Sequence, residues 1–123
     1  MQKPLFRPQT EWIPPDDFPD LSKEKEIAID LETKDPHLNI ARGSGSVIGI
    51  GEVVGISLAT DVWSAYYPIA HEGGGNLDKK VVLKWFQEVL NTTSDKIFHN
   101  AMYDVCWLRA MGLTIKGRII DTM

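Results

Sequence analysis

Apolar and polar positions alternate along Ile27-Ala28-Ile29-Asp30-Leu31-Glu32-Thr33, the signature of a strand with one face in a core. Ile29 and Leu31 point one way, and Asp30 and Glu32 point the other. Two further strands follow, Val53–Ala59 and Trp63–Ile69, joined by a turn at Thr60-Asp61-Val62. Such short connections predict an antiparallel meander of three strands. The period then changes. From Asn76, a plausible N-cap, to about Leu90, apolar residues recur every three to four positions at Leu77, Val81, Val82, Trp85, Phe86 and Val89. Lys79, Lys80, Lys84, Gln87 and Glu88 fill the other side, so the segment reads as an amphipathic helix packed on a sheet. Trp85 and Phe86 belong to its core face.

After the Asn91–Ser94 loop, Lys96–His99 is a short buried strand, and Asn100 can cap a second helix that Gly112 ends. Leu113 to Ile120 leads to a last strand closing at Asp121-Thr122-Met123. The order β-β-β-α-β-α-β predicts an α/β fold, a mixed sheet with helices against it. Two stretches interrupt the pattern. Residues 1–22 hold five of the seven prolines and read as an extended arm, with Phe6, Trp12, Ile13 and Phe18 available to dock it; residues 23–123 form the domain. Lys34 to Gly51 reads as a long flexible loop starting next to the carboxylate pair. Its Gly43-Ser44-Gly45 step lacks a lysine at phosphate-loop spacing and opens no helix in this reading, so it is not taken as a phosphate cradle.

Composition narrows the chemistry. The net charge of −4, without a basic block, argues against sequence-blind electrostatic binding of nucleic acid. Cys106 stands alone, which excludes an internal disulfide and a cysteine-based zinc site and fits a reducing compartment; with no basic-then-apolar signal-peptide pattern at the N-terminus, the cytoplasm is the default location. No apolar run is long enough to span a membrane. The carboxylates carry the chemistry that is left. Asp30 and Glu32 share a face and repel each other unless a cation or proton lies between them. Asp104 sits in the first turn of the second helix, just beyond a strand end. If the first and fourth strands are neighbours, Asp30, Glu32 and Asp104 form an all-oxygen cluster suited to Mg²⁺ or Mn²⁺ and to phosphoryl chemistry. His99, beside a strand end, reads as a hydrogen-bonded core or rim residue rather than a ligand.

These residues resemble a family. Asp30-Leu31-Glu32-Thr33 is similar to the first motif of the DEDD-type 3′–5′ exonucleases, and Asn100-Ala101-Met102-Tyr103-Asp104 to the second, N-x-x-x-(F/Y)-D. Val54–Ser57, Ala65–His71 and Ile120–Met123 narrow the resemblance to the proofreading domain of phage-type family A DNA polymerases, over about residues 26 to 123. The resemblance implies an RNase H-like fold and two divalent metal ions, Mg²⁺ or Mn²⁺, held by four carboxylates. It carries metal binding and catalysis onto Asp30, Glu32 and Asp104. It places Thr33 near the terminal 3′-hydroxyl, and Asn100 and Tyr103 near the last nucleotide's sugar and phosphate. Implied partners are a single-stranded or frayed DNA 3′ end and a polymerase domain in cis or a complementing chain. Such domains carry a third motif, Y-x-x-x-D or H-x-x-x-D, beyond the D-T-M segment, which this sequence does not contain. The expectation is therefore a domain truncated before that motif, lacking the fourth carboxylate and the helices that cover one sheet face. An RNase D-like exonuclease acting on RNA, and a non-catalytic piece needing a second chain, are the competing readings.

Overall fold

A computed structural model describes residues 12–36 and 44–123 of the chain. Strand β1, Glu26–Lys34, is followed by a one-turn helix α1, Gly45–Ile48, then by β2, Glu52–Ala59, and β3, Ser64–Pro68. Helix α2, Lys79–Leu90, leads to β4, Asp95–Phe98; helix α3, Ala101–Ala110, leads to β5, Ile119–Asp121. The five strands form one sheet in the order β3-β2-β1-β4-β5, a mixed α/β arrangement of the RNase H-like kind. β1, β2 and β3 pair antiparallel, whereas β1 with β4 and β4 with β5 pair parallel. The alternation read in β1 holds: Ile27, Ile29 and Leu31 are buried, and Asp30 and Glu32 are exposed.

One apolar core joins that β1 face to Ile56, Leu58, Tyr67 and Phe98 of the sheet and to Val82, Trp85, Phe86, Val89, Leu90, Trp107 and Leu108 of the helices. Residues 12–21 carry no helix or strand, as a proline-rich arm should, and their inner end is anchored. Phe18 stacks on Tyr67 at 5.5 Å and meets Trp85 edge-on, the Trp85 indole donates to Pro19 O at 2.9 Å, and Leu21 is buried. Trp12 lies against Tyr66, Ile13 is exposed, and Phe6 lies outside the described residues.

Three local expectations are corrected. Helix α2 starts at Lys79 because Asp78 caps it, accepting from the backbone N–H of Lys80 at 2.9 Å and of Val81 at 3.4 Å. Asn76 instead clamps His71, accepting from its backbone N–H and donating to its carbonyl. With that phase Val81 turns outward, and the core stripe becomes Val82, Trp85, Phe86, Val89 and Leu90. The described part of the Gly43-Ser44-Gly45 step, Ser44-Gly45, does open a helix, though of a single turn: Ser44 caps α1, and Gly45 N–H donates to Asp35 Oδ1 at 2.9 Å.

Lys96 opens the strand expected to be buried, and its whole side chain is buried. Its ammonium donates to the carbonyls of Thr92 and Ser94 and to Thr92 Oγ1, stapling the α2–β4 turn. Burial pulls its pKa down, and the neighbouring Asp95 charge opposes that. Lys96→Met, which keeps the volume but strands those acceptors, should lower stability by about 3 kcal/mol, read as a fall in the urea midpoint at unchanged slope.

Candidate active site

β1 outruns its parallel neighbour. β4 pairs with β1 only from Glu26 to Ala28, so the amide edge of β1 beyond that point faces no strand. β4 ends at Phe98, and the chain turns through Asn100, the one non-glycine residue with positive φ among those described (65°). Asparagine tolerates that left-handed backbone better than most residues. The turn launches α3 along the vacated edge. Asp104, in its first turn and 4% exposed, fills the notch: its Oδ2 accepts from Leu31 N–H at 3.4 Å. Burial pushes the Asp104 carboxyl up to about 6; the Leu31 N–H opposes the shift, and the nearby Asp30 charge adds to it.

Asp30 and Asp104, 74 residues apart in sequence numbering (104 minus 30), are thus brought within electrostatic reach at one strand end. Glu32 lies on the Asp30 face, but its Oε2 accepts from the Tyr66 hydroxyl at 2.8 Å. Among the described residues no three Asp, Glu, His or Cys side chains converge closely enough to hold a metal ion. The donor chemistry nevertheless fits a hard divalent cation. All three groups are carboxylates, and buried Asp104 accepts a single long hydrogen bond while facing a second negative charge. The β1–β2 register shifts directly after Glu32, with Val54 as the extra residue on β2, and the alternation of β1 puts Thr33 on the same face as Ile29 and Leu31.

There Thr33 Oγ1 meets the Tyr103 hydroxyl at 2.8 Å. Tyr103 donates its only proton to Asp35 Oδ2 at 2.9 Å, so Thr33 must be the donor to Tyr103 and keeps its own lone pairs free. The two residues assigned to substrate contact therefore touch each other, and Asp35 ties them to α1. Asn100 occupies the N-cap position of α3 but makes no capping bond with its side chain, contrary to the capping role expected of it. The cap comes from the sheet: Asp121 of β5 accepts from Asn100 N–H at 3.1 Å and from Met123 N–H at 3.0 Å. These backbone donors hold the Asp121 carboxyl below its usual range. His99 Nδ1 bonds Thr122 Oγ1 at 3.2 Å, in line with a rim histidine. His37 lies outside the described residues.

Asp35, Tyr66 and Asp121 are the participants that sequence reasoning missed. Asp35 and Tyr66 sat inside stretches noted for other reasons, a loop and a strand. One signal was available for Tyr66: Gly55, a glycine inside an apolar strand, marks a close approach by a neighbour.

No family model matches the chain. It is similar to the DNA-directed DNA polymerase of Pseudomonas phage M6. The two are 36% identical over 119 residues, covering 92% of this chain and 18% of that polymerase. The chain thus spans less than a fifth of the length of the curated relative it matches, and the similarity supports a polymerase-related domain. No helix among the described residues is long and apolar enough to cross a membrane.

Proposed function

We propose that residues 26–123 belong to a metal-dependent 3′–5′ exonuclease domain working beside a DNA polymerase. The reaction would hydrolyse the last phosphodiester at a DNA 3′ end and release a nucleoside 5′-monophosphate. The observation that carries this reading is the buried Asp104 carboxylate set against Asp30 at the end of β1, an arrangement that a cation relieves. Similarity to a phage DNA polymerase supports DNA over RNA as the substrate and a polymerase domain as the partner.

Asp30, Glu32 and Asp104 would hold divalent Mg²⁺ or Mn²⁺, which when bound activates water and stabilises the departing 3′-oxygen. The remaining roles fall to the chain's own groups. Thr33, donating to Tyr103, keeps an acceptor oxygen for the terminal 3′-hydroxyl. Asn100, exposed and free of a capping duty, has its amide available to the terminal phosphate. Tyr103, fixed by Thr33 and Asp35, would set the position of the last sugar. A mismatched end, already frayed, reaches such a site at a lower unpairing cost than a matched one, which gives proofreading its physical basis.

The test pairs calorimetric titration of Mn²⁺ with digestion of 3′-labelled single-stranded DNA in Mg²⁺. Three carboxylates should bind Mn²⁺ weakly, and the Asp30→Ala, Glu32→Ala double substitution should remove both the heat and any Mg²⁺-dependent digestion. Undiminished digestion by the double variant, or no Mn²⁺ heat from the parent chain, would overturn the assignment.

A further inference from the structure

We infer that Tyr66 is a positioning residue for Glu32, its hydroxyl backed by His71 and holding one carboxylate oxygen so that the other is presented to an incoming divalent cation. The inference rests on the metal-site reading above. It starts from Gly55. In the sheet, Gly55 of β2 lies between Glu32 of β1 and Pro68 of β3. A Cβ at Gly55 would fall 1.8 Å from the Tyr66 hydroxyl oxygen and 2.2 Å from the ring carbon bearing it. The hydroxyl end of the Tyr66 ring therefore lies over that glycine, spanning β2 from β3 to reach Glu32. Any side chain at position 55 would block that reach.

The direction of the hydrogen bonds follows from the inventory of protons. An ionised Glu32 can only accept, so the single Tyr66 proton goes to Glu32 Oε2, at 2.8 Å. The contact between Tyr66 and His71 Nε2 then requires the histidine to be the donor, which assigns its proton to Nε2. His71 is held in turn by Asn76, which bonds both its backbone N–H and its carbonyl at 2.8 and 2.9 Å. The line runs from Asn76 through His71 and Tyr66 to Glu32, each member fixed by the one before it.

The consequence concerns entropy and aim. Glu32 is an exposed glutamate on a strand, and an untethered one samples several rotamers that metal binding would have to freeze. Fixing Oε2 in advance removes part of that loss and leaves Oε1 free. Hydrogen-bonded partners behind metal ligands are worth roughly 10- to 100-fold in affinity when removed.

The experiment is Mn²⁺ titration, by calorimetry and by electron paramagnetic resonance, of the parent chain, Tyr66→Phe, Glu32→Gln and the double variant. Tyr66→Phe keeps the ring over Gly55 and should leave metal-free thermal stability unchanged, yet bind Mn²⁺ at least about tenfold more weakly. In the Glu32→Gln background the same change should have no further effect. In the metal-free protein, Glu32→Gln should also move the ¹³C resonance of the Tyr66 phenolic carbon. Mn²⁺ binding by Tyr66→Phe as tight as that of the parent chain, or tighter, overturns the positioning role while leaving the metal site standing. Additivity of the two substitutions, or an unmoved Tyr66 resonance, does the same. No Mn²⁺ binding by the parent chain overturns the site reading and this inference together.

Discussion

Asp104→Asn should make the metal-free protein more stable at pH 7.5 while ending its Mn²⁺ binding. The Asp104 carboxyl titrates at about 6 in the folded chain against an ordinary value of 3.8, chiefly because burial disfavours its charge. Between those two values the folded state holds a proton that the unfolded state has released. Stability contributed by this group is therefore fully present below about pH 3.8 and is lost as pH rises through about 6. A shift of that size corresponds to about 3 kcal/mol at most by linkage. Asparagine keeps an acceptor for the Leu31 N–H and carries no charge, so it recovers much of that amount at neutral pH and little at pH 4. Urea unfolding in chelator at the two pH values reads the difference. Saturating Mn²⁺ should then raise the parent chain's midpoint and leave the variant's in place, because a ligand stabilises only the state that binds it. A variant less stable than the parent at pH 7.5 would show that the carboxylate is not strained by its burial.

Tyr67→Ala should lower stability by about 4 kcal/mol, in the range for removing a fully buried aromatic ring. Tyr67 has no exposed surface, packs at 4.8 Å from Trp85 and 5.5 Å from Phe18, and donates its hydroxyl to Asp17 O at 2.9 Å. Its burial, with Asp17 close by, pushes the phenol up to about 12, so the hydroxyl stays a donor at any working pH. The effect should be uneven. Phe18 and Pro19 reach the domain through Tyr67 and Trp85, so amide exchange from residues 17–21 should accelerate more than exchange within α3. Tyr67→Phe, which loses only the bond to Asp17, should cost about 1 kcal/mol.

The elements carried by local period were legible in the sequence: the faces of β1, the antiparallel meander, both long helices and the strand after each. The strand-end position of Asp104 was legible too, because a helix cap after a short buried strand has few places to go. What could not be read was side-chain choice between near-equivalent neighbours. Asn76 and Asp78 are both good caps, and the decision went to Asp78 because Asn76 is taken by the His71 backbone. Contacts between distant residues were also hidden. Tyr66 reaching Glu32, Tyr103 joining Thr33 to Asp35, and Asp121 capping α3 depend on register across strands, which alternation alone does not supply. Lys96 shows a third kind of limit. The strand reads as buried, but its pattern does not say what its lysine bonds; the turn carbonyls that Lys96 satisfies explain how it is buried completely.

The length by which β1 exceeds β4 has a consequence for solubility as well as for the site. An unpaired strand edge is a template for a strand from another molecule, and proteins guard such edges with charge or cover. Asp104, buried under α3, supplies the cover at the Leu31 amide, an acceptor that occupies the edge. The residue proposed to hold the cation is therefore also the one that keeps this edge amide from pairing with another strand.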